Sequence, residues 1–329
     1  MSDFRLLEDV QEQAPTFHVS LSRVGVTNVE KVIRIGANGT ERLYWAKLDC
    51  FVDLGPRQKG AHMSRFEEVV NDAIGEVVLS ERVFRAETLA MHVAEKVRDR
   101  QGARRAEVRL EARYPEHKPA PVSGIETQEL YTLLGTAVAS EQGTRRLIGV
   151  RAQGMTACPC AQGLVQASAR ERLVEDGFDA EEIERIFEAV PVATHNQRGL
   201  GTLLLGCPED CDTDIDAERL LAIVEDSMSS EIYELMKRSD EGAVVEKAHR
   251  RPRFVEDCVR ESVRGLIEGF PELTERHFVY ARQENLETIH QHNVVAERFG
   301  LLGEIRREEA SHEASERHVS TREWLDGRA

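Results

Sequence analysis

Apolar and polar residues alternate with a period of two over residues 24–35 and again over 43–54, as strands do when one face is buried. The Gly36-Ala37-Asn38-Gly39 stretch between them reads as a hairpin turn. The period then lengthens. Phe66, Val69, Val70 and Ile74 recur at helical spacing over 64–74, and Val83, Phe84, Leu89, Val93 and Val97 do so over 81–98. Strand alternation returns over 106–114 through Val108, Leu110 and Ala112, and the Pro- and Gly-containing segment 118–124 follows as a rigid loop. The pattern recurs after that loop. Residues 129–139 and 145–153 predict a second hairpin, 161–189 a helical stretch broken at Gly177, and 201–206 a short apolar strand. A long helix is expected over 214–237, with Ile215, Leu220, Ile223, Val224 and Met228 as its stripe. A further helix is expected over 253–268, with Val255, Val259, Val263, Leu266 and Ile267 inward, and a strand over 275–283. Two rounds of hairpin, helix pair and strand predict an α+β fold with a duplicated unit. The expected organisation is an extension over 1–19, a first module over 20–125, a second over 126–302 and a polar tail over 303–329, either a peripheral helix or disordered.

Composition narrows the setting. The 329 residues carry a net charge of −16, and only seven of the 43 basic residues are lysine. Abundant carboxylates with scarce lysine predict a surface that stays hydrated in high salt, hence a halophilic cytoplasm; an ordinary acidic protein is the alternative. Such a surface argues against nonspecific nucleic-acid binding. No run of about 18 apolar residues is present and the N-terminus has no signal-peptide pattern, so a cytoplasmic protein off the membrane is expected. The six cysteines are scattered, which disfavours a disulfide framework.

Chemistry concentrates in short segments. Cys158-Pro159-Cys160 lies between a predicted strand and a helix, where the helix amino end favours thiolate. His195-Asn196-Gln197-Arg198 is too polar for a packing site, and Glu287 with His290 and His292 offers a carboxylate and two imidazoles. Thiolate, imidazole and carboxylate together suit a divalent transition metal. The histidine pair suits either metal binding or proton transfer; a strand there would aim both rings to one face. Cys207 and Cys211 are a weaker metal pair, with a structural role as the alternative. The segment 59–65, with Lys59, His62 and Arg65, opens a helix and suits phosphate. Residues 237–241 are expected to close a helix, and Glu256 to begin one.

Taken in order, these segments resemble the type IB GTP cyclohydrolase family. The matching stretches are 58–66, 120–125, Cys158-Pro159-Cys160, 195–198, 237–241, 254–257 and 287–292, spanning residues 20–300. The long insertion between the Cys-Pro-Cys and His-Asn-Gln-Arg segments resembles the archaeal branch. The resemblance implies a tunnelling fold: two tandem modules of four-stranded antiparallel sheet, each with two helices between its second and third strands, assembled into a homodimer or homotetramer. It implies a hydrolase acting on a cyclic amidine. GTP would give 7,8-dihydroneopterin 2′,3′-cyclic phosphate, formate and pyrophosphate, the first step towards methanopterin or folate-type cofactors.

Carried over position by position, the resemblance makes Cys158, His195 and Glu241 the ligands of one iron(II) per subunit, with zinc or manganese as substitutes in a purified sample. It makes Glu256 the purine-reading carboxylate, and His290, His292, Glu287 and Cys160 the groups around the reaction. Lys59, His62, Arg65, Lys118, Arg198 and Arg238 are assigned to ribose and triphosphate largely on charge. Three alternatives stay open: a type IB enzyme releasing dihydroneopterin triphosphate, a thiol enzyme resembling the NADPH-dependent nitrile reductases, and a non-catalytic metal-stabilised assembly module.

Overall fold

The computed structural model describes residues 10–35, 42–80, 85–209, 211 and 215–328. The expected turn at 36–39, the start of the helix expected over 81–98 and Asp214 lie outside them. The backbone is one nine-stranded antiparallel sheet with helices packed on it. Strands β1 (Leu21–Ile35) and β2 (Arg42–Leu54) pair first, helices α1 (Met63–Ser80) and α2 (Ala86–Gln101) follow, and β3 (Arg105–Pro119) and β4 (Glu126–Ser140) complete the first half. The second half begins with β5 (Gly143–Ala157), passes through α3 (Pro159–Glu175) and α4 (Ala180–Ala189), and returns as β6 (Asn196–Cys207). Then come α5 (Ala217–Ser227), the two-residue β7 (Ser230–Glu231), α6 (Arg238–Arg250), α7 (Val255–Gly269), β8 (Phe278–Leu286), β9 (Val294–Leu301), α8 (Leu302–Ser311) and α9 (Thr321–Leu325). The strand order is β1-β2-β3-β4-β5-β6-β8-β9, with β7 on the edge of β5 that β4 leaves free.

Alternation decides the two faces. On β2, Tyr44, Ala46, Leu48, Cys50 and Val52 are buried, and on β3 Ala106, Val108, Leu110 and Ala112 are. They meet Phe66 and Val70 of α1 and Leu89, Val93 and Val97 of α2 in one large core that continues under α5 and α7. Each large aliphatic or aromatic side chain so buried stabilises by about 1.5–3 kcal/mol. The opposite face carries Arg109, Glu111 and Arg113 in the open. One end of it is covered by α9, whose Trp324 stacks on Phe278 at 5.5 Å between ring centroids. Gly206 makes that possible, because a Cβ there would lie 2.7 Å from the indole. Among the described residues the polar tail carries α8 and α9 and is anchored through Trp324.

Two expected elements are corrected. The helix over 214–237 is only α5: Asp216 caps its start by accepting the Glu218 N–H, and Met228 ends it in extended conformation. The chain then joins β5 as β7. Met228 lies so close to the sheet that a Cβ at Gly154 would be 2.6 Å from its methyl. Residues 237–241 do not close a helix but open α6, with Lys237 as N-cap. The expectation missed α6 because its charged sequence buries only Asp240, Val244 and Ala248.

Candidate metal and substrate site

The β5–β6 ladder brings the two distant motifs together. Its last pair is Ala157 with Asn196, and one step further the Cys158 N–H donates to the His195 carbonyl at 3.1 Å. The Thr194 hydroxyl donates to the Cys158 carbonyl at 2.8 Å. Helices α3 and α4 fill the sequence between, so the insertion leaves the junction intact. Cys158 is the N-cap of α3, Pro159 starts the helix, and the Cys158 sulfur accepts the Ala161 N–H at 3.5 Å. That placement agrees with the helix-start expectation and sets the thiol at the positive end of the helix dipole. Cys160 is exposed on the first turn.

Beside Cys158 the polar interior is incomplete. His195 Nδ1 stands 3.8 Å from Glu287 Oε2, and neither atom has a hydrogen-bond partner although both are buried. Thr156 Oγ1 and Gln197 Oε1 are in the same condition. These atoms are neighbours by register: Thr156 pairs with Gln197, and Arg198 pairs with Leu286, the residue before Glu287. A buried polar group left unsatisfied costs about 1–3 kcal/mol. Four side by side mark a place where an ion or a polar ligand supplies the missing partners.

The surroundings are braced by groups that the sequence did not single out. Gln162 Nε2 donates to the carbonyls of Val192 at 2.8 Å and His249 at 2.6 Å, and His249 Nε2 is 3.4 Å from the Thr194 carbonyl. The Arg253 N–H donates to Ala157 O at 2.9 Å, and the Thr288 hydroxyl donates to Asn196 O at 3.0 Å. The ends of α6, α7 and β8 thus converge on the Cys158–His195 junction.

The start of α6 is held differently. Asp240 is fully buried and accepts from the N–H groups of Val122, Ser123 and Lys237 and from the Ser123 hydroxyl, at 2.7–2.8 Å. Burial alone would raise its pKa; these four donors outweigh it and hold the carboxyl well below the usual range. Asp240 thereby ties the 120–124 loop to α6 and presents Glu241 and Arg238, both exposed, beside that loop. Its signal in the sequence was an acidic residue three positions after a helix start, the capping-box spacing.

The remaining residues expected at the site are not gathered in one place: Lys118 lies at the end of β3, whereas Lys59, His62 and Arg65 lie at the other end of the sheet, where β3 begins. Lys118 bonds Glu225 at 2.7 Å and lies over the Tyr233 ring. Tyr131 donates to the same carboxylate at 2.8 Å, and burial together with Glu225 keeps its phenol protonated. Glu256 is exposed in the first turn of α7. His290 and His292 sit on the β8–β9 connection rather than on a strand, yet their rings stack at 5.2 Å. Arg198 reaches Gln153 at 2.7 Å. Lys59, His62 and Arg65 precede and open α1; the His62 backbone is clasped by the Gln101 amide at 2.8 and 3.3 Å. Cys158, His195 and Glu241 do not bring their ligand atoms within 4.8 Å of one another; among the described residues the group that does is Cys207, Cys211 and His277.

The family model described as type I GTP cyclohydrolase folE2 matches residues 7–296. Proteins named GTP cyclohydrolase MptA are similar along nearly the whole chain. The one from Methanococcus vannielii is 39% identical over 307 residues, covering 91% of this chain and 98% of its own. The one from Methanosarcina acetivorans is 40% identical over 311 residues, covering 92% and 97%. Among solved structures, a uricase from Bacillus fastidious overlaps 91% of this chain and 98% of its own at 10% identity, with a TM-score of 0.48.

Proposed function

Because the chain belongs to the type I GTP cyclohydrolase family, we propose that it opens the guanine ring of GTP and yields 7,8-dihydroneopterin 2′,3′-cyclic phosphate, formate and pyrophosphate, an early step of pterin cofactor synthesis. The observation that carries the site assignment is the set of unsatisfied buried atoms on Thr156, His195, Gln197 and Glu287 beside the Cys158 N-cap.

The donor chemistry there fits a transition-metal cation. His195 Nδ1 and Glu287 Oε2 face each other unpartnered, and Cys158 adds a sulfur on the adjoining strand end. Cys158, His195 and Glu241 would hold the ion, iron(II) with zinc or manganese as substitutes, with Glu241 closing on the other two from the start of α6, since the three ligand atoms do not all lie within 4.8 Å of one another. When bound, it would lower the pKa of water at its open position towards neutrality. Glu287, buried beside the His195 ring, places a carboxylate next to the reacting groups. Glu256 accepts hydrogen bonds from the guanine edge and so sets carbon 8 against the water. Addition of water there opens the imidazole ring, and hydrolysis of the resulting formamide releases formate. His290 and His292, stacked and exposed on their loop, move protons between water and ring nitrogen. Lys118, Arg198 and Arg238 neutralise the triphosphate, and Lys59, His62 and Arg65, at the other end of the sheet, would join them from a second copy of the chain. The ribose then opens and rearranges to a ketone that condenses with the freed amine, losing water and closing the pterin ring; the side-chain hydroxyl next to the phosphorylated carbon attacks the α-phosphate and expels pyrophosphate.

The element order supports two tandem tunnelling-fold modules. Two strands, a helix pair and two strands would make the first, with the division proposed in the β4–β5 turn. The second repeats that order, with α3–α4 inserted between its first two strands and α5 to α7 before its third. Val32, Leu43 and Trp45 are exposed apolar residues on the paired β1 and β2, a surface suited to burial between subunits of a homodimer or homotetramer. No helix among the described residues is long and apolar enough to cross a membrane. The acidic, lysine-poor composition supports a halophilic cytoplasm.

Anaerobic incubation with GTP and iron(II), followed by mass spectrometry and phosphorus NMR, tests this reading. A cyclic phosphodiester with free pyrophosphate is expected. An intact triphosphate on the pterin would make the chain a type IB enzyme of the triphosphate-releasing kind, and absence of formate would remove the activity altogether.

A further inference from the structure

A second cluster lies at the far end of β6. Cys207 is the last residue of that strand and is 1% exposed. Cys211 returns towards it through a turn in which its N–H donates to the Pro208 carbonyl at 3.1 Å. His277 is 2% exposed and immediately precedes β8, where Phe278 pairs with Gly206. The register therefore sets His277 and Cys207 side by side, and Cys211 Sγ lies 3.3 Å from His277 Nε2. All three ligand atoms fall within 4.8 Å of one another.

We propose that Cys207, Cys211 and His277 form a metal site of their own, for a borderline-soft divalent cation of the zinc class, separate from the site at Cys158. Two thiolates and an imidazole are the donors that zinc takes from proteins. Two thiolates also cancel the charge of a dication, which suits a buried position where net charge is costly. His277 Nδ1 is 3.0 Å from the Thr274 hydroxyl and 3.3 Å from the Thr274 carbonyl, acceptors for a proton on Nδ1 that would leave Nε2 free to bind metal. The Thr274 N–H, also at 3.0 Å, serves the other tautomer. Arg146 donates to the Cys211 carbonyl at 3.1 Å, and the His277 carbonyl accepts the Leu302 N–H at 2.8 Å, so both backbones are pinned. The cation would staple the β6–α5 connection to the head of β8. Twelve residues of strand put it roughly 35–40 Å from His195, so it plays no part in the chemistry there.

The test uses the full chain, purified anaerobically and loaded with zinc(II) or cobalt(II), with Cys158→Ala as background to remove the other site. Cys158→Ala should keep one equivalent of metal and, with cobalt(II), a thiolate-to-metal charge-transfer band. Adding Cys211→Ser should abolish both, whereas Cys211→Ser alone should retain GTP turnover. In the unmutated chain, zinc should slow alkylation of Cys211, read by peptide mapping, by about tenfold or more. That measurement stands even where a variant folds poorly. An unchanged alkylation rate, a metal equivalent surviving Cys211→Ser in the Cys158→Ala background, or a Cys207–Cys211 disulfide in the isolated protein would overturn the assignment.

Discussion

Cys158 sits at the one position where its backbone closes the β5–β6 ladder and its sulfur caps α3. Its roles separate on mutation. Cys158→Ala should lose the catalytic metal while the ladder bond, made by the backbone, keeps the fold; His195→Asn and Glu241→Ala should do the same. Metal analysis beside size-exclusion chromatography checks this, and full iron occupancy in any variant would remove that residue from the ligand set. Glu256 makes a contrasting case. It is exposed at the head of α7, available to a ligand rather than engaged in the core. Under the proposed purine-reading role, Glu256→Gln would replace an acceptor by a donor at one guanine contact, at a cost of about 1.5–3 kcal/mol per charge-assisted bond. Metal content should stay constant while the apparent affinity for GTP falls; unchanged affinity and turnover would sink the purine-reading role.

At the scale of elements, α6 is a lever fixed at both ends. Its start is bound to the 120–124 loop by Asp240, and its end is bound through His249 to the segment before His195. Asp240→Asn keeps the shape but places an amide among four donors, so a lower Tm at neutral pH is expected. The pH dependence has a definite sign. A carboxyl whose folded pKa is depressed gives its full stabilisation above the unfolded value, about pH 4, and loses it as pH falls through the folded value. The gap in Tm between wild type and Asp240→Asn should therefore be constant above about pH 5 and close in acid. A gap that widens on acidification would contradict the hydrogen-bond account. Helix α9 is fastened by packing instead. Trp324 is 1% exposed against Phe278, Val138 and Leu147, and Trp324→Ala should cost about 3–5 kcal/mol in denaturant unfolding. A loss below about 1 kcal/mol would mean that the tail docks only loosely.

The whole molecule carries its charge at the surface. With a net charge of −16, self-repulsion opposes compaction at low ionic strength. Screening shortens its reach from about 10 Å at 0.1 M salt to about 3 Å at 1 M. Many of the arginines are already engaged at short range, as Arg253 is with Glu261 and Arg298 with Glu308, and such contacts outlast screening better than distant ones. Tm should therefore rise between dilute buffer and molar potassium chloride, and a fall over that range would count against the halophilic reading.

Periodicity alone determined the strands other than β7 and β9, most of the helices and their inward faces, because a two-residue or 3.6-residue repeat is a local property written along the chain. The ordered Cys-Pro-Cys, His-Asn-Gln-Arg and Glu-x-x-His-x-His segments likewise carried the family. What needed the tertiary structure was every relation between distant segments. The sequence pointed to a long helix over 214–237, but Met228 ends it because β5 offers an edge for Ser230 and Glu231 to pair with. Helix α6 went unread because its burial comes from one carboxylate serving a loop more than a hundred residues earlier, which no apolar stripe records. His277 offered no signal beside Cys207 and Cys211, since only the β6–β8 register sets them together. Hydrophobic pattern is read one element at a time, whereas a ligand set or a buried polar network exists only once strands have chosen their partners.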